Sequence, residues 1–243
     1  MDRMAALVMI WCSGVFGLQS DENGPHTLRY VRRSGEKFVA ESTVELRQQD
    51  RQSVLKSVTT RPGTTLTLTA QFSEQAQLVD ATVAVEANAA RSSARVAVKD
   101  QIAEITRADG TRDELECPRG VIVTSAPDWT DAVSMVQRYD RVRKGKQEFP
   151  GLWVHPTQEP LRLRFAITHL AQDDVERQGQ TVQLDRFRIE LRGGSRYIGW
   201  GDERGRLLRL HPEGRPKEGI WLEGWEHAHG GAWPDPADQQ KPN

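Results

Sequence analysis

Between Leu66 and Phe72 the chain reads Leu-Thr-Leu-Thr-Ala-Gln-Phe, and the same alternation recurs over most of the distance from Thr27 to Leu210. A period of two sends successive side chains to opposite faces of a strand, so a chain written this way folds as half-buried sheet. β-branched threonines on the polar parity suit a sheet with one face in water. Turn pairs punctuate the run: Ser34-Gly35, Pro62-Gly63, Asp109-Gly110 and Gly193-Gly194 each favour a reversal between neighbouring strands. Ala87–Ser93 reads as a loop of small residues. Phe149–Pro160, with Pro150, Pro156 and Pro160, reads as a linker-like crossing. Val182 and Leu184 share one parity while Phe187, Ile189 and Leu191 share the other, which predicts a β-bulge near Asp185.

One segment breaks the period. Trp129, Ala132, Val133, Val136, Tyr139 and Val142 recur at helical spacing. Asp128 is placed to cap the start, and Lys144-Gly145 to end the segment. The spacing predicts one amphipathic helix near 129–144, with its apolar stripe on the concave face of the strands. The expected fold class is therefore mainly β (α+β): a curved antiparallel half-barrel wrapped around one main helix. Residues 21–212 form that domain. Residues 213–243 read as a tail rich in Trp, Pro and Gly, disordered from Asp235 onward.

The N-terminus carries Arg3 and then an apolar stretch from Met4 to Leu18. That stretch is too short for a confident membrane span and reads as a signal peptide over residues 1–20, with cleavage after Gly17 or Ser20. The expected location is periplasmic or extracellular. Trp11 precedes Cys12 where lipidation requires a small residue. With Cys12 removed, Cys117 stands alone, so no intramolecular disulfide is available and the fold must rest on its core. Cys117 itself reads as a buried, inert thiol.

Charge and motifs exclude several classes. Lysine and arginine total 33 against 34 acidic residues, a net charge of −1, which gives no reason to expect nucleic acid as a partner. Arg138, Arg141, Arg143, Lys144 and Lys146 cluster, and read as a solvated helix end rather than an anion site. No zinc-protease, P-loop, dinucleotide or nucleophile-elbow signature occurs. Ser34–Lys37 and Ser53–Lys56 match Ser-x-x-Lys but fall in strand-like segments, where that spacing points the pair apart. Asp173-Asp174 and Asp202-Glu203 read as turn chemistry. His227 and His229, with Asp235 and Asp238, are the candidate metal ligands, in a Gly- and Pro-rich setting that argues against a site. No catalytic residue, metal or cofactor is assigned, and the chain is expected not to be an enzyme.

Four features together resemble a loose group of exported half-barrel proteins: the signal, the meander from Leu28, the helix from Trp129, and the closing hairpin. That hairpin is Tyr197-Ile-Gly-Trp-Gly-Asp-Glu-Arg-Gly-Arg-Leu-Leu-Arg-Leu210. The group includes the lipoprotein carriers LolA and LolB, the mycobacterial LppX-type proteins and uncharacterised periplasmic domains. Within such an architecture Trp129, Val133, Val136, Phe165 and Trp200 would line an apolar concavity between helix and sheet. The leading expectation is a non-enzymatic carrier of a lipid or other apolar small molecule. The alternative is an envelope interaction module with a filled core, docking a protein through a sheet edge or the Trp221–Trp233 tail.

Overall fold

Two-residue periodicity becomes hydrogen-bonded sheet in the computed structural model of the protein, which describes residues 26–35, 37–49, 52–125 and 129–234. The expected signal peptide, Cys12, Asp128, Asp235 and Asp238 lie outside the described residues. Eight antiparallel strands come first: β1 (His26–Ser34), β2 (Lys37–Gln49), β3 (Gln52–Arg61), β4 (Thr64–Ser73), β5 (Leu78–Ala87), β6 (Ala90–Lys99), β7 (Ile102–Thr106) and β8 (Arg112–Glu116). β9 (Ile122–Thr124), α1 (Thr130–Arg138) and β10 (Lys146–His155) then make a parallel crossover. The antiparallel run resumes with β11 (Gln158–Arg177), β12 (Gln180–Glu190), β13 (Arg196–Gly201), β14 (Leu207–Pro212) and β15 (Glu218–Leu222).

All fifteen strands belong to one unclosed sheet, ordered β8-β7-β6-β5-β4-β3-β2-β1-β15-β14-β13-β12-β11-β10-β9. The first meander runs outward from β1, and the second runs inward to β15. They meet at a single seam, where Tyr30 pairs with Leu222 and Arg32 with Ile220. Composition marks residues 213–243 as a tail, yet β15 lies inside it as a central strand. Its glycine explains the misreading: Gly219 has φ +144, and a Cβ there would strike the carbonyl oxygen of Leu210. Only glycine lets β15 approach β14 this closely.

Curvature divides the interior into two packed regions. One holds α1 with Phe165, Ile167, Phe187, Ile189 and Leu210. The other packs Leu152 and Val154 of β10 against Leu68, Val83, Val96 and Ile105 of the first meander. Arg138 links them: its Nη1 donates to the carbonyl of Gly120 at 2.9 Å, and its guanidinium lies 5.3 Å from the Phe72 ring.

The helix is shorter than its spacing predicts. Tyr139 leaves it with ψ 119°, and Asp140 takes over the backbone. The Asp140 carboxylate accepts from the amides of Val142 and Arg143, while the Gln147 amide clamps the Asp140 N–H and C=O at 2.9 and 2.7 Å. These bonds outcompete another helical turn and leave Val142 94% exposed. Trp129, not an acidic side chain, holds the N-cap, and Asp131 supplies negative charge in the first turn. Residues 131–136 are buried all round, so the helix is enclosed by the sheet.

Four further expectations are corrected. The small-residue segment 87–93 is strand on either side of a tight turn, because Asn88 and Ala89 both adopt positive φ, as a two-residue hairpin demands. The proline-rich segment 149–160 is β10 and the start of β11. Pro150 lies just before the residues that β9 pairs, where a missing N–H is least disruptive. Asp173 and Asp174 lie inside β11, not in a turn. The bulge falls at Leu170 in β11, between the pairs His169–Phe187 and Ala171–Arg186, rather than near Asp185 in β12.

Candidate functional site

Directly paired residues on neighbouring strands share a face, and this separates the five expected lining residues. Phe165 pairs with Phe149 on the helix face; Val133, Val136 and Phe165 have no exposed surface, so they are filled core rather than a ligand space. Trp129 is half-buried, edge-on to Tyr197 at 5.7 Å and beneath the Arg32 guanidinium. Trp200 is on the other side of the sheet. It pairs with Arg186 and Arg209, and Arg209 pairs with Trp221, all facing away from α1. The helix face beside Trp200 is held by Gly201, whose Cβ would collide with Val136.

That second face is covered by the chain beyond β15. Trp233 lies 5.3 Å from Trp200 and 5.9 Å from Trp225. His229 exchanges backbone hydrogen bonds with Glu176 of β11 at 2.7 and 3.1 Å. Trp221, Trp225 and Trp233 are all buried, so they are not free to dock a partner. Arg209 is fully buried beneath them, 4.9 Å from the Trp221 ring and 5.3 Å from Trp233. Its Nη2 donates to the Pro216 carbonyl at 2.8 Å. Burial pushes its pKa down to about 9, which keeps it charged at neutral pH. Beside it, burial pushes His211 down to about 4, so that ring is neutral. Cys117 is buried and its pKa is raised to about 11 by burial.

The accessible concavity is elsewhere, and it is polar. A cleft of about 790 Å³ opens where the β11–β12 hairpin projects past the β13–β14 turn. The loop after α1 contributes Tyr139, Arg141 and Lys144; β11 contributes His169, Gln172 and Arg177. Across from them stand Asp185 of β12, the turn residues Asp202, Glu203, Arg204 and Arg206, and Trp225. Asp185 is saturated: it accepts from Arg141 Nε at 2.8 Å and from Gln172 Nε2 at 3.2 Å, and pairs with His169 Nε2 at 3.2 Å. Asp202 is closed by Arg206 at 2.7 Å, and Arg141 also donates to the Asp202 carbonyl at 2.5 Å. The Tyr139 hydroxyl donates to the Gly145 carbonyl at 3.1 Å, and burial raises its pKa. The cleft thus holds five side-chain cations against three carboxylates, two of them already neutralised by arginine.

The cation cluster was visible in the sequence, but its reading as a solvated helix end holds only in part: Arg138 lies between the two packed regions and Arg141 is committed to Asp185, and the opposite wall was not visible at all. Arg204 and Arg206 arrive from a turn about sixty residues away, through a register that no local pattern encodes. Among the described residues, no group of three or more His, Cys, Asp and Glu side chains is placed to hold a metal. His229 instead anchors the tail by its backbone.

No protein-family model matches the chain, and no curated protein matches it. Solved structures do. A beta-barrel-like protein of domain of unknown function DUF1849 from Brucella abortus aligns with TM-score 0.51 and 10% identity, over 82% of this chain and 94% of that one. The likeness is one of fold. A DUF1089 family protein from Pseudomonas aeruginosa aligns with TM-score 0.44 and 17% identity, over 72% of this chain and 90% of that one. The likeness to the DUF1849 protein supports the curved β-rich fold. The expected resemblance to LolA, LolB and LppX-type proteins is not shown.

Proposed function

We propose that this protein is an exported, non-enzymatic interaction module with a filled core, which meets its partner at the polar cleft. The observation that carries this reading is the contrast between two concavities. The helix–sheet concavity is packed solid at Val133, Val136 and Phe165, which leaves no room for a lipid. The cleft between the α1–β10 loop and the β13–β14 turn is open and lined by charge. A carrier for an apolar molecule needs the reverse arrangement. Catalysis is disfavoured by the same hydrogen bonds that shape the cleft. Asp185 and the Tyr139 hydroxyl are committed to partners, whereas a general base needs a lone pair within reach of its substrate. The apolar stretch from Met4 to Leu18, read as an export signal, supports a periplasmic or extracellular setting for the module.

The test is a photo-crosslinking residue at Gln183, in the cleft, and a control at Thr60, on β3, each in the full chain in its own envelope. A protein crosslinked from Gln183 alone, and lost with Lys144→Glu plus Arg204→Glu, is the expected outcome. Stoichiometric co-purification of a lipid, with no crosslinked protein, would instead return the carrier reading.

A further inference from the structure

The two strands of the β11–β12 hairpin are paired unequally on their outer sides. β13 pairs β12 only from Asp185, opposite Gly201, to Glu190, opposite Arg196. Residues 181–184 of β12 bond β11 on one side, through Glu176–Thr181 to Asp173–Leu184. On the other side no strand pairs them among the described residues, and that side is the cleft, with Thr181, Val182 and Gln183 in its lining. The opposite edge of the same hairpin is covered, because Glu176 of β11 pairs with His229. The hairpin therefore keeps one edge sealed by the chain's own tail and one edge open.

An open strand edge presents N–H and C=O groups in the geometry of a missing neighbour. Natural edges of this kind are blunted by proline, by a bulge or by inward charge; Thr181, Val182, Gln183 and Leu184 supply none of these. What surrounds the edge selects for sign. Lys144 and Arg204 make no side-chain ion pair among the described residues, and Arg141 and Arg206 stand behind them on their own carboxylates. Trp225, buried beneath the Arg177 guanidinium at 4.7 Å, gives the cleft a rigid apolar wall.

We infer that the cleft takes an extended acidic peptide, which adds as a strand to β12 at residues 181–184 while its carboxylates meet Lys144 and Arg204. Main-chain bonds supply affinity without regard to sequence, and the cations supply the preference for glutamate and aspartate. Because those cations are solvent-exposed, the preference weakens with salt. This inference rests on the interaction reading above and names the chemistry of the partner.

The test uses the full chain and a short synthetic peptide alternating glutamate and threonine, followed by titration calorimetry and amide exchange. Binding with slowed exchange at 181–184 is expected, with at least a tenfold loss on N-methylating alternate peptide amides. A comparable loss is expected for the alternating lysine–threonine peptide, and for Lys144→Glu or Arg204→Glu; both positions are exposed, so the variants should keep the wild-type melting temperature. Equal affinity of the N-methylated peptide, or equal competition by inorganic phosphate, would overturn strand addition in favour of a simple anion site. No binding of the acidic peptide would overturn the inference outright. If the crosslink from Gln183 to a protein still depends on Lys144 and Arg204 in that case, the interaction reading survives and only the peptide chemistry falls.

Discussion

Replacing Gly219 by alanine should force β15 away from its neighbour β14. Gly219 has φ +144, a conformation that L side chains rarely adopt, and such backbone strain costs about 1–3 kcal/mol. The added Cβ would also strike the Leu210 carbonyl oxygen and lie 3.0 and 3.1 Å from His211 Cβ and Cα. Three of these neighbours belong to the backbone or sit directly on it, so no rotamer change relieves them. Overpacking of this kind costs about 1–3 kcal/mol more, for a total of about 2–6 kcal/mol. Gly214 is the control: its φ is +80, and a Cβ there meets nothing within 4 Å, so Gly214→Ala carries only the backbone term of about 1–2 kcal/mol. Urea unfolding followed by tryptophan emission separates the two. With a slope of about 1–3 kcal/mol per molar urea, the Gly219→Ala midpoint should lie about 1 M below that of Gly214→Ala. Coinciding midpoints would refute the close approach of β14 and β15 as the reason for glycine.

Other substitutions test other parts of the argument. Phe165→Ala should cost about 3–5 kcal/mol by cavity formation, whereas Leu170→Ala, at the exposed bulge, should stay within about 0.5 kcal/mol in the same unfolding assay. Truncation after Pro212 removes β15 and should abolish the cooperative transition, while truncation after Pro234 should leave it in place. His211 is neutral when folded, with a pKa of about 4 against 6.5 when free. The unfolded chain therefore binds the extra proton between those values, and stability should fall by about 3 kcal/mol as pH drops from 6.5 to 4. His211→Phe should flatten that part of the stability–pH profile. Cys117, with its thiol raised to about 11 and its surface covered, should react with a thiol reagent only on unfolding.

Much of the fold was legible because it is written locally. Leu66, Leu68, Ala70 and Phe72 alternate in the sequence and are all buried on β4. The helix announced itself at Val133 and Val136. What local periodicity does not carry is which side of a strand is covered and by what. Trp200 and Phe187 are both buried, on opposite faces, because α1 covers one side of β12–β13 and the tail covers the other. Sequence parity alone made Trp200 a neighbour of the helix. Likewise β15 hid in a stretch of glycine and proline, since Ile220, Trp221 and Leu222 are too short a run to show alternation and the strand is fixed by its two neighbours, β1 and β14. The cleft was invisible for the same reason. It is assembled from three turns and a hairpin edge, each ordinary by itself.

The seam between β1 and β15 also orders events in time. The second strand of that pair is made almost two hundred positions after the first. Until it arrives, β1 has an open hydrogen-bonding edge next to the nascent meander of β2 to β8. Such an edge is an invitation to the same edge on another copy. Pairing over so long a separation is also slow to form once the chain is complete. The period of greatest danger for this molecule is thus its own biogenesis, and a holding factor that shields β1 would matter more to its yield than to its finished stability.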